Sequence, residues 1–307
     1  MKIINLKSGE WRVASDELKA AARPRHVSTL NPQPLGAATC LGEAMRRRKR
    51  SGDGSTLNQL RAFTIVELLV VIAIIGILAA MLLPVLSRAK IAAQKKQAAV
   101  EISQIVGAIQ QYDSVYGRFP VTANDQTLAG TNDFTCGGTA YAADGVTQLW
   151  TMGSTNNWEV IAILMDITTY SNGLQTVNYK HVKNPQQTIF LNAKQVSDPT
   201  LPGVGPDLVY RDPWGNPYII SMDLNYDEQC HDTYYCQQLV SQNPPGSPTS
   251  QTGFNGLFNP DLNGQTDNYL YHGKVMVWSA GPDRKIDLLP PARADQGFNK
   301  DNVLSWQ

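Results

Sequence analysis

Catalytic signatures are missing from this 307-residue chain. It has no GxSxG, no HExxH, no P-loop and no GxGxxG opening a helix, which removes the commonest hydrolase, zinc-protease and nucleotide-binding designs. Histidine and cysteine are scarce, at four each. His181, His231 and His272 stand apart from one another in the chain, and isolated histidines in such a domain are structural or exposed. Charged residues make up only 17%, and their formal sum is zero. That zero hides a split, because the chain carries +7 up to Ala62 and −7 from Phe63 onward.

The absence with most consequence is local. From Leu68 to Leu83 there is no polar side chain, and the apolar run Phe63 to Leu86 contains one charge, Glu67. As a helix its 24 residues rise about 36 Å, enough to cross roughly 30 Å of hydrocarbon. A secretory signal peptide is the alternative, but its apolar core is shorter and ends at a small-residue cleavage site, whereas this run continues through Pro84 into Ser87-Arg88-Ala89-Lys90. Arg46, Arg47, Arg48, Lys49, Arg50 and Arg61 precede the span, against Arg88, Lys90, Lys95 and Lys96 after it. This bias places the N-terminal side in the cytoplasm and the acidic remainder outside. The run Arg46–Arg50 beside a span is a topology signal, and no nucleic-acid partner is expected.

A lone carboxylate inside an apolar run costs several kcal/mol unless paired, so Glu67 needs a cation from elsewhere. Arg61-Ala62-Phe63-Thr64-Ile65-Val66-Glu67 and the apolar run after it resemble the prepilin processing and methylation motif of type IV pilins and type II secretion pseudopilins. The resemblance implies cleavage between Ala62 and Phe63 by a prepilin peptidase, N-methylation of the Phe63 amine, and pairing of that amine with Glu67 of a neighbouring subunit. Ala62 stands where the family usually has Gly. An ordinary single-span anchor with Glu67 in the headgroup zone is the plainer reading of the same residues.

Residues 1–62 show no sustained apolar period and predict a basic, disordered leader, with Met45 an alternative start. After the span (63–86), Ala98, Ile102, Ile105, Ile109, Tyr112 and Tyr116 form an apolar stripe of helical spacing, so 87–117 predicts an amphipathic continuation, with Gly117 as cap and Pro120 as stop. The remainder, 118–307, reads as the globular domain. Within it 121–206 is rich in Asn, Gly, Thr and Asp and reads as an insert, with a helix at Trp158–Met165 and a strand at Thr188–Leu191. Strands are also expected at Tyr218–Ile220 and Lys274–Ser279. Tyr112 to Pro120, DPWGNPY at Asp212–Tyr218 and SAGPD at Ser279–Asp283 resemble the G-type major pseudopilin.

In that family the loop after the last strand binds calcium, an ion that takes six to eight oxygens. The resemblance implies Ser279, Asp283, Asp301 and Asn302 as ligands, with Asp287 and Asp295 matching less well. Asp223-Leu224-Asn225-Tyr226-Asp227 begins like an EF-hand but has Glu228 and Tyr234 at the sixth and twelfth positions, and fails as one. Outside the cytoplasm a Cys230–Cys236 disulfide is expected, leaving Cys136 over; a zinc site lacks a fourth ligand.

The expected fold is therefore α+β and pilin-like: a long N-terminal transmembrane and assembly helix on a small antiparallel sheet with an extended C-terminal loop region. The expected function is that of a non-enzymatic subunit of a type II secretion pseudopilus, single-pass in the inner membrane with its C-terminal domain periplasmic. Its implied partners are the prepilin peptidase and N-methyltransferase, other pseudopilin subunits, the assembly platform with its ATPase, and membrane lipids. A type IV or minor pilin and, from another class, a membrane-anchored binding domain are the alternatives.

Overall fold

The long helix starts where the sequence caps it. The computed structural model describes residues 63–130, 133–137, 139–141, 148–151, 156–244, 250–261, 266–287 and 292–307. Thr64 is extended, and its Oγ accepts the Glu67 amide at 3.2 Å while the Glu67 carboxylate accepts the Thr64 amide at 2.9 Å. This reciprocal capping box satisfies two N-terminal amides that the helix itself cannot. From it α1 runs unbroken over Ile65–Tyr116. Pro84 lies inside and supplies no N–H, so the carbonyl four residues before it loses a helical partner without ending the helix. Gly117 ends α1 in the left-handed conformation (φ 63°), its amide donating to the Asp113 carbonyl at 2.7 Å. A residue with a Cβ is strained there, which is why glycine stops this helix.

The two halves of α1 meet different surroundings. Every residue from Phe63 to Ala93 is exposed. From Ala98 onward the stripe Ala98, Ile102, Ile105, Ile109 and Tyr112 is fully buried, joined by Ala108, with Tyr116 half-buried. Each buried isoleucine stabilises the docking by about 2 kcal/mol.

Among the described residues α1 is followed by α2 (Ala123–Ala129), β1 (Phe134–Cys136), the hairpin β2 (Thr139–Tyr141) and β3 (Gln148–Thr151), α3 (Trp158–Leu164), the pair β4 (Gly203–Val204) and β5 (Tyr210–Arg211), and β6 (Ile219–Met222). Then come β7 (Gln229–Cys230), α4 (Gln238–Ser241), β8 (Tyr271–His272), β9 (Val275–Ser279) and β10 (Val303–Leu304). The main sheet is antiparallel in the order β1-β6-β9-β10. Its register sets Ile220 opposite Val277 and Val303 opposite Ser279.

Strand β9 explains why this sheet has two cores. Side chains alternate along a strand, and in Val-Met-Val-Trp both phases are apolar, as expected for a strand covered on both faces. Val275 and Val277 join Ile220, Met222 and Val303 against α1 and α3. Met276 and Trp278 point the other way, with Ile219 and Leu304, into a second cluster built from Tyr234, Tyr235, Val240 and Trp306. There Trp278 stacks on Tyr234 at 5.5 Å and meets Tyr235 edge-on at 5.2 Å.

Two expectations for the middle of the chain meet different outcomes. The apolar piece beginning at Trp158 is α3. Thr188–Leu191 is not a strand: the amides of Phe190 and Leu191 both donate to the Leu164 carbonyl, closing the end of α3 instead of a ladder. Buried asparagines do most of the tying here. Asn157 donates to the carbonyls of Tyr210 and Tyr218 and accepts the Tyr210 amide, and Tyr116 donates to Asn184 at 2.7 Å. This region also supplies the edge strand β1 to the main sheet, so it is woven into the domain.

Candidate functional site

Two places carry the chemistry expected from the sequence. The first is the head of α1. Ala62 lies outside the described residues; Phe63 begins them and is exposed. Glu67 Oε2 takes both the amide and the hydroxyl of Thr64, each at 2.9 Å. The carboxylate is thereby held against the helix start, four residues on from Phe63, and both residues are exposed. α1 is long and apolar enough to cross a membrane, and none of its apolar half is buried by the described residues.

The second is the carboxyl-terminal loop, and its geometry is set by the DPWGN turn. The Asp212 carboxylate is buried and accepts the amides of Trp214 (2.9 Å) and Asn216 (2.8 Å), the Asn216 side-chain amide (2.9 Å) and the Ser279 hydroxyl. Burial raises its pKa above the usual carboxylate range against the pull of these donors. Asn216 reaches on to the Gly281 carbonyl at 3.0 Å, and Ser279 Oγ accepts the Gly281 amide at 3.0 Å. The two motifs are therefore one clamp, and Ser279 is spent within it. Gly281 sits at φ 71° with the Asp301 carbonyl oxygen in the space a Cβ would need, so only glycine lets the turn approach the C-terminal segment.

Beyond the clamp, the Asp283 and Asp301 side chains come within hydrogen-bonding reach of each other. Burial, and then the neighbouring Asp301 and Asp287 carboxylates, push Asp283 up to about 6, though the Lys285 amide draws it down. Burial also raises Asp301, opposed first by the Lys95 ammonium of α1. Asp301 Oδ1 and Asn302 Oδ1 are buried without a hydrogen-bond partner, while Asn302 Nδ2 donates to Tyr235 Oη at 2.9 Å. Asp287 accepts the Phe298 amide at 2.8 Å, and Asp295 pairs with Arg293 at 2.9 Å. Of the six oxygen-bearing residues expected as ligands, Asp301 and Asn302 are the ones with a buried oxygen that has no hydrogen-bond partner, and Asp283 lies beside Asp301. Among the described residues no group of three or more His, Cys, Asp or Glu is arranged to hold a metal.

The remaining candidates have structural employment. Cys136, Cys230 and Cys236 are free, buried thiols, so the expected Cys230–Cys236 bridge is not formed. Cys230 lies in β7 inside the second core, and the Cys236 thiol donates to the Thr233 carbonyl. Asp223 accepts the amides of Asp227 and Glu228, and Asp227 accepts that of Gln229, which closes a turn. His181 contacts Asp166 at 2.8 Å and His272 stacks on Phe258 at 3.9 Å.

Sequence reading missed Asp212, which organises the loop, although DPWGNPY was singled out; an Asp two residues before a Trp-Gly turn is the signal that could have found it. Compared with known proteins, residues 58–83 match the Prokaryotic N-terminal methylation motif. No curated protein and no solved structure gives a significant match. The matched residues bracket Ala62, Phe63 and Glu67, and they lead into a long helix packed on an antiparallel sheet. Motif and architecture together fit a pilin-like chain of prepilin type.

Proposed function

We propose that this chain is a structural subunit of a type II secretion pseudopilus. A prepilin peptidase cuts between Ala62 and Phe63, the new amine is methylated, and subunits extracted from the inner membrane assemble into a periplasmic filament. The observation that carries this reading is the matched motif at the head of a helix whose apolar half is left exposed by the described residues. Lipid covers that surface before assembly and neighbouring helices cover it afterwards. The role is mechanical and involves no catalysis. An assembly platform and its ATPase supply the force.

Calcium is part of the proposal. Asp283, Asp301 and Asn302 would hold it, and the two orphaned buried oxygens support that fit, since a hard cation is what such oxygens lack. When bound, the ion supplies positive charge between two carboxylates that otherwise repel. Ser279 acts one step back, holding the turn through Asp212.

The test is mass spectrometry of the N-terminus of the protein purified from its own membranes. A chain beginning at N-methyl-Phe63 is the expected result. An intact leader, or a cut after the span near Ser87, would sink the filament reading and leave an anchored or secreted binding domain. A type IV pilin shares the same processing and is separated from the pseudopilin by whether deletion abolishes protein export or surface pili.

A further inference from the structure

The described domain is electrically polarised along α1. Between Glu67 and Glu101 the helix has no acidic residue, and it carries Arg88, Lys90, Lys95 and Lys96. Leu68 to Leu86 spans about 28 Å as helix, close to the hydrocarbon thickness, so Leu86 marks its edge and Lys96 lies about 15 Å beyond it.

The fold brings further cations to this same end from far along the sequence. Lys194 and Lys96 line one cleft between α1 and the segment around Gly203. The DPWG turn is fixed to α1 by the Gln94 side-chain amide, which donates to the Pro213 carbonyl at 3.2 Å. Arg284 lies over that turn, its Nη2 3.7 Å from the Cβ position of Gly215. Lys300 adjoins Asp301, which faces Lys95. Arg88, Lys90, Lys96, Lys194, Arg284 and Lys300 are all exposed. The acids at this end include Asp198, Asp283 and Asp301, the last offset by Lys95, together with Glu101 in the cleft of Lys96 and Lys194, Asp207 paired with Arg211, and Asp212 buried in the clamp.

The opposite end holds Arg118, Lys180, Lys183 and Lys274, but its acids outnumber them. Asp113, about 40 Å beyond Leu86 along the helix, pairs with Lys274 at 3.1 Å. Around that point the Asp223 amide donates to the Lys274 carbonyl and the Gly273 amide to that of Glu228, so Asp223, Asp227 and Glu228 gather there with Asp133.

We propose that the basic end is a docking surface for the anionic headgroups of the leaflet from which α1 emerges, and that it seats the domain on the membrane before assembly. The inference rests on the membrane-spanning reading of α1. A band of six cations reaching from the hydrocarbon edge to about 15 Å beyond it, with an acidic far pole that the same surface repels, is complementary to lipid phosphates within a headgroup zone and one Debye length. Each Lys or Arg held near an anionic surface adds roughly fivefold to the partition. Docking orients the subunit, with its carboxyl-terminal loop against the headgroups.

The experiment reconstitutes the full chain in vesicles of neutral phosphatidylcholine and in vesicles with added phosphatidylglycerol. Lysines are then labelled with a membrane-impermeant amine reagent and read by mass spectrometry. Lys194 and Lys300 are expected to label several-fold more slowly in the anionic vesicles, Lys180 at the far end equally in both, and the difference to vanish in high salt. The triple variant K194E/R284E/K300E, read at Lys96, should lose the protection. Equal labelling of Lys194 and Lys300 in chains that float with both vesicles overturns the docking and leaves the anchor intact. Failure to float with either overturns the membrane-spanning reading, and the docking with it.

Discussion

At the scale of single residues, Glu67 and Glu159 place carboxylates in unusual settings for different reasons. Glu67 is exposed and bonded by the amide and hydroxyl of Thr64. Its removal costs the helix a cap of about 1 kcal/mol and leaves the fold alone. Glu67→Ala should therefore leave processing and membrane attachment unchanged, yet reduce sedimentable filaments at least tenfold. Unchanged filament yield would favour a plain anchor. Glu159 is half-buried at the start of α3, where desolvation, then its hydrogen bond and charge interaction with Asp125, push it up to about 8, with Thr122 and Lys183 pulling the other way. Its folded pKa is raised above the ordinary 4.5, so the folded chain binds the extra proton. That contribution to stability is complete below about pH 4.5 and disappears as pH rises through about 8. Urea midpoints should thus fall across this window in the natural chain and fall less in Glu159→Gln, which should be the more stable of the two at pH 8. Identical slopes would remove Glu159 as the cause.

Among elements, legibility followed the period of the apolar pattern. The stripe from Ala98 to Tyr112 repeats with a helix's spacing, and its burial in α1 follows directly. Lys274–Ser279 was readable as a strand for a different reason, a short continuous run of β-formers leading into the Gly281-Pro282 turn. Its Met276 and Trp278, however, imply a second covered face, and the covering layer of Tyr234, Tyr235 and Trp306 comes from turns without a period. Thr188–Leu191 misled because β-branched and aromatic residues suit a strand, but its amides were claimed by the end of α3. The resemblance pointed to Ser279, Asp283, Asp301 and Asn302, and the structure sets Asp283 beside Asp301 and leaves buried oxygens of Asp301 and Asn302 without partners. Ser279 belongs instead to the Asp212 clamp, a contact across 67 positions that no local spacing encodes. Asp212→Ala should strand the amides of Trp214 and Asn216 and the Ser279 hydroxyl, at a cost of about 3 kcal/mol. Chemical denaturation would measure it, and a loss under about 1 kcal/mol would mean that the DPWGN turn holds without its carboxylate.

At the scale of the whole molecule, the carboxyl-terminal loop is where distant parts of the chain converge. Asp301 faces Lys95 of α1, Gly281 carries the clamp from the turn before β6, and Val303 follows directly into β10 on the main sheet. Under the calcium proposal, a cation between Asp283 and Asp301 would tie helix, sheet edge and C-terminus together, where repulsion between the two carboxylates would loosen all three. By mass action an ion at a hundred times its dissociation constant stabilises the folded chain by about 2.7 kcal/mol. For a domain of this size that corresponds to a rise in Tm of roughly 5–10 °C. Scanning calorimetry in millimolar calcium against a chelator should show this shift in the natural chain and lose it in Asp301→Asn, whose own midpoint in chelator should equal or exceed that of the natural chain because one repelling carboxylate is gone. A midpoint indifferent to calcium, with the same gain from Asp301→Asn, would mean that Asp283 and Asp301 are a strained pair held by the fold and not a binding site.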